Sequence, residues 1–100
     1  MAQGARKEYY GVMSNLSITN IIASNIRSMR EEAGYTQEDF AAKVKFDRSY
    51  YGRIERGNVN LTVERLLRIA KLQQCEPGDL LPTLEKLNEY ELDVGLNADE

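Results

Sequence analysis

The apolar residues of this chain recur at three- and four-residue steps, and nowhere do they alternate for long enough to predict a strand. Ile18, Ile21, Ile22, Ile26, Met29 and Ala33 form one sustained stripe, which predicts a first helix. Ser17 or Thr19 is placed to cap it, and Gly34 ends it. Thr36 caps a second helix, with Glu38 and Asp39 against the positive end of its dipole and Phe40, Ala41 and Val44 inward. Lys45 and Phe46 break the period. Asp47 then caps a third helix, with Tyr51, Ile54 and the aliphatic part of Glu55 facing inward. A polar loop, Asn58 to Thr62, follows Gly57, and Thr62 caps a fourth helix. Val63, Leu66, Leu67 and Ala70 are expected to face the core, with Ile69 beside them and Arg65, Arg68 and Lys71 outside. Pro77 suits the first position of a fifth helix along Leu80, Leu81, Leu84 and Leu87, and Pro82 should break it into two short pieces. The fold class is all-α. The expected division is a flexible extension over 1–16, one domain over 17–88 and a frayed acidic tail over 89–100.

With Tyr51 and Ile54 inward, the other side of the third helix carries Ser49, Gly52, Arg53 and Arg56, flanked by Arg48. Arginines, a hydroxyl and a glycine on an exposed helix face suit the edge of a DNA groove. On the helix alone, a solvated basic face explains them as well. The overall charge of -3 argues against nucleic acid only if it is evenly spread. It is not: residues 1–15 carry +1, residues 16–75 carry +3 and residues 76–100 carry -7. A basic domain precedes an acidic tail, and the low overall pI hides it.

Composition removes other functions. The chain has no histidine, so the commonest general base and metal ligand is missing. Cys75 is the single cysteine, which excludes an internal disulfide and reads as a small buried hydrophobe. No phosphate-binding glycine loop or nucleophile elbow occurs, and no run of apolar residues is long enough to span a membrane. No cofactor, metal or small-molecule ligand is expected, and the expected location is the cytoplasm.

Thr36-Gln37-Glu38-Asp39-Phe40-Ala41, Asp47-Arg48-Ser49-Tyr50 and Ile54-Glu55-Arg56-Gly57 together resemble the helix-turn-helix of the phage-repressor and Cro-like (XRE) family. The resemblance runs from about Ile22 to Leu81 and implies a compact five-helix, lambda-repressor-like domain. Three residues depart from the family pattern: Lys45 and Gln74 stand at common glycine positions, and Tyr51 replaces an aliphatic residue.

The resemblance implies double-stranded DNA as partner, with the third helix in the major groove. It assigns Arg48, Ser49, Arg53 and Gln37 to base reading, Gln37 at a helix start that also attracts phosphate. Lys43, Lys45, Tyr50, Arg56, Asn58 and Asn60 are candidates for phosphate contact. It also implies a structural ion pair between Arg30 and Glu55. One such domain contacts few bases, so a homodimer on a palindromic site is expected, with Leu80, Leu84 and Leu87 at the interface. Asp47 to Tyr50 with Asn60-Leu61-Thr62 is similar to controller proteins of restriction–modification systems. The expectation is a transcriptional regulator rather than an enzyme. The alternative is an antitoxin or coregulator acting mainly through protein–protein contact.

Overall fold

The computed structural model describes residues 17–89. The expected N-terminal extension and all but the first residue of the expected tail lie outside the described residues. Within them the chain is all-helical: α1 (Ile18–Glu32), α2 (Gln37–Val44), α3 (Arg48–Glu55), α4 (Val63–Gln73), a 3₁₀ turn (Pro77–Leu80) and α5 (Leu84–Leu87). Pro82 separates the last two pieces, as its missing N–H requires.

Each α-helix starts where a short polar side chain replaces a missing intrahelical acceptor. Ser17 accepts from the backbone of Asn20, Thr36 from Asp39, Asp47 from Tyr50, Thr62 from Arg65 and Thr83 from Lys86. Such caps contribute about 1 kcal/mol each. Of the two candidate caps for α1, Ser17 is the one used. α2 and α4 end on left-handed residues that are not glycine, Lys45 (φ 65°) and Gln74 (φ 58°). Gly57, after α3, also has positive φ (77°), and a Cβ there would land on the side-chain amide of Asn20. That position needs glycine for both backbone freedom and space.

The core gathers one face of every long helix. Ile26 of α1, Phe40 of α2, Tyr51 of α3, Ile69 of α4 and Leu80 of the 3₁₀ turn are all fully enclosed. Burial of a side chain of this size contributes roughly 1.5–3 kcal/mol. The rings of Tyr35, Phe40 and Tyr51 meet in sequence at 5.5 and 5.3 Å. α3 packs against both α1 and α2, and α4 packs against α1, α2 and the 3₁₀ turn.

Four assignments are corrected by this packing. In α4, Ile69 lies at the centre of the core and Val63 and Leu67 are exposed, so the buried stripe is Leu66, Ile69 and Ala70. A run with apolar residues on several sides fits more than one helical phase, and contact with α2 and the 3₁₀ turn selects this one. Arg68, expected outside, is half-buried: it donates to the backbone carbonyl of Val44 at 3.2 Å and lies over the Phe46 ring. Leu80, expected at a dimer interface, is fully buried in its own subunit and has no surface to offer a partner. Asn25 donates to the Leu80 carbonyl at 3.2 Å, which holds the turn against α1. Ala33, placed in the α1 stripe, is exposed at the helix end.

Candidate nucleic-acid interface

The outer face of α3 is aimed by a polar cluster on its inner side. Glu55 sits in the last turn of α3, buried, with Arg30 of α1 buried opposite it. Arg30 donates through Nε to Oε2 at 2.6 Å and through Nη2 to Oε1 at 3.0 Å, a two-pronged pair. Its Nη1 donates to the Tyr35 carbonyl at 2.7 Å. The Tyr51 hydroxyl donates to the same carboxylate. Gln37, at the first position of α2, donates its amide to Oε1 at 3.0 Å. One carboxylate thus ties together the starts and ends of three helices.

The electrostatics follow from this cluster. Burial opposes ionisation of Glu55, but hydrogen bonds from Arg30, Tyr51 and Gln37 outweigh it and hold its carboxyl below the usual range. The hydrogen bond to Glu55 raises the Arg30 value further. Burial, then the hydrogen bond to the charged Glu55, pushes the Tyr51 phenol well above its ordinary value. The pair is ionised and the phenol neutral throughout the working pH range.

On the opposite side, Gln37, Arg48, Ser49, Gly52, Arg53 and Arg56 line one open cleft of about 390 Å³. All four residues assigned to base reading are therefore on the same surface, joined by Arg56 from the phosphate set. Arg48, Ser49 and Arg53 are exposed. Arg48 is held at 2.7 Å by Glu38 of α2, an exposed pair that DNA would have to displace. Gly52 is buried beneath the cleft, and a Cβ there would stand 3.3 Å from the Arg56 guanidinium. The glycine leaves room beside the helix for the Arg56 guanidinium.

The phosphate candidates separate into groups. Tyr50 is half-buried: its hydroxyl accepts from Arg65 at 3.2 Å, and its ring lies under Arg65 and within 5.9 Å of Arg53. It acts first as a prop for two arginines. Asn58 and Asn60 are exposed in the loop after α3. Lys43 and Lys45 line a different cleft and are not brought together with the base-reading set. The sequence reading missed the support that Arg65 and Glu38 give to Tyr50 and Arg48. Only the acid–base complementarity of Glu38 and Arg48 was visible beforehand, ten residues apart across a turn.

Residues 26–80 match the sequence profile of a family described as helix-turn-helix, over more than half of the chain. The chain belongs to the helix-turn-helix family. It is an XRE-type member, a family of DNA-binding transcription regulators. Among curated proteins, this helix-turn-helix chain is 36% identical over 66 residues to control protein C.SmaI of Serratia marcescens, covering 66% of this chain and 79% of that protein. It is 33% identical over 57 residues to control protein C.MunI of a Mycoplasma species, covering 57% and 77% respectively. The crystal structure of the restriction-modification controller protein C.AhdI from Aeromonas hydrophila superposes with a TM-score of 0.60 at 31% identity. That match covers 68% of this chain and 98% of the other. No helix among the described residues is long and apolar enough to cross a membrane, and no group of acidic or cysteine side chains among them is arranged to hold a metal ion.

Proposed function

We propose that the protein binds a palindromic operator in double-stranded DNA as a homodimer, with α3 in the major groove, and so regulates transcription from the cytoplasm. The observation that carries this reading is the shared cleft of Gln37, Arg48, Ser49, Gly52, Arg53 and Arg56 on a helix clamped from behind by Arg30 and Glu55. Arg53 and Arg48 read guanine through their paired donors, and Ser49 contacts a base or phosphate between them. With one amide hydrogen held by Glu55, Gln37 presents its carbonyl to a donor on a base edge or its second amide hydrogen to a phosphate. Arg56, Asn58 and Asn60 flank the groove at phosphate positions, and Tyr50 supports Arg53 from below. The similarity to control proteins favours a controller-type regulator within the family.

The proposed dimer uses the surface around Leu81, Leu84 and Leu87. Leu84 is 72% exposed in the subunit, more apolar surface than the domain needs for itself. The test is selection of bound sequences from random duplex DNA, with the mass of the complex measured. A two-fold symmetric consensus bound by two chains is expected. Enrichment of no sequence, together with tight capture of another protein, overturns this reading in favour of an antitoxin or coregulator.

A further inference from the structure

Two rings at the start of α3 are gripped from α4. Phe46, in the turn before α3, and Tyr50, in its first turn, meet edge to face at 5.7 Å. Arg65 and Arg68 stand three residues apart, on one face of α4. Arg68 lies over the Phe46 ring at 4.9 Å and is anchored by its hydrogen bond to the Val44 carbonyl. Arg65 lies over the Tyr50 ring at 5.0 Å and donates to its hydroxyl at 3.2 Å, so that ring is held by its face and by its tip. The guanidinium of Arg53, three residues further along α3, comes within 5.9 Å of the same ring. Arg53 and Arg65 are both exposed, and neither is in an ion pair among the described residues. The Tyr50 ring is therefore what a guanidinium at 53 has to rest on. α3 itself packs against α1 and α2, and the bridge from Arg65 adds a tie to α4.

We propose that Arg65 is a positioning residue for sequence reading. Without touching a base, it fixes the Tyr50 ring from α4 and, through that ring, the direction of the Arg53 fork. The inference rests on the reading above that α3 lies in the major groove. A two-pronged contact to guanine requires the plane of the guanidinium to match the base edge. An arginine free in solvent has many rotamers, and selecting one at the moment of binding costs entropy. A ring held in place beneath Arg53 restricts those rotamers beforehand, and it attracts the cation through its face. That restriction lasts only while the ring itself is held, which is what Arg65 does. The geometry favours this role over a phosphate contact by Arg65, because its flat face and one of its donors are already committed to Tyr50. Sequence preference then depends on a residue of α4, outside the helix that enters the groove.

The test is binding of the full chain to the selected operator and to all its single-base variants, at several salt concentrations. Arg53→Ala first locates the base pair whose preference Arg53 governs. Arg65→Met and Tyr50→Leu should each lower discrimination at that base pair roughly two- to five-fold, and leave it unchanged elsewhere. Combined, they should lose no more than the larger single effect, since both act through one ring. Tyr50→Leu changes no charge, so it should keep the wild-type salt slope. Arg65→Lys keeps a cation over the ring and should recover part of the discrimination. An Arg65→Met variant that weakens all sequences alike and lowers the salt slope by about 1 marks a phosphate contact and overturns the proposal. Lost discrimination at every position, or additive effects of the two substitutions, overturns it as well. If Arg53→Ala itself keeps the wild-type preference, the reading of α3 and this inference fall together. If Arg53→Ala relaxes the preference and Arg65→Met does not, this inference falls alone.

Discussion

Glu55 keeps a charge in a place from which water is excluded, and four donors make that tolerable. Because its carboxyl is held below the usual range in the fold, its contribution is fully present above the unfolded value of about 4.3. It is lost as pH falls through the lower folded value. Removing the charge strands Arg30, so Glu55→Gln should cost about 3–5 kcal/mol at pH 7. Urea unfolding of the two proteins from pH 7 to pH 3 should show the gap narrowing below about pH 4.3. A gap that stays constant removes the charge from the explanation. At the same scale, Cys75 is held above its ordinary value first by burial and then by Asp79 and Glu76, so it should alkylate more slowly than a free thiol at neutral pH.

At the scale of the element, α3 divides its duties by face. Arg53→Ala should cost about 1–3 kcal/mol of operator binding and relax base preference at one position of each half-site. Arg48→Ala should cost less, because the wild-type side chain must first leave Glu38. Arg56→Ala should weaken binding evenly across sequences and lower the salt slope by about 1. Quantitative binding to a panel of single-base operator variants separates these outcomes; an Arg53 variant that keeps the wild-type preference shows that another element reads the site. The two left-handed helix ends give a further prediction. Lys45→Gly and Gln74→Gly should each stabilise the fold by up to about 1 kcal/mol, additively, as measured by urea unfolding, because a side chain is unfavourable in that conformation.

For the whole molecule, what was legible in the sequence was what local chemistry decides. Caps, stops, the Pro82 break and the inward faces of α2 and α3 follow from one or two residues each. The helix-turn-helix motif likewise placed the Arg30–Glu55 contact between helices. What sequence could not give was the rotation of α4. Val63, Leu67 and Ile69 are equally apolar, and only packing against neighbours chooses Ile69 for the core. The same holds for Leu80, whose place under α1 and α4 depends on where the 3₁₀ turn docks. That correction sharpens the assembly prediction. Leu81→Asp with Leu84→Asp changes only exposed positions and should leave a folded monomer with much weaker operator binding. Sedimentation at micromolar concentration checks it, and a variant that still runs as a dimer moves the interface to Val63 and Leu67. Leu80→Asp should simply unfold the subunit.

The tie between Gln37 and the buried Glu55, at the edge of the cleft on the outer face of α3, bears on how such a regulator acquires new targets over generations. Ser49 and Arg53 stand clear of the core, so mutation can exchange them with little effect on folding, and under the proposed reading each exchange should alter the preferred sequence. Gln37 lacks that freedom, since its amide is fastened to Glu55. Descendants of this chain should therefore diverge first at 49 and 53 while retaining 37 and 55, so that binding specificity drifts on a scaffold that does not.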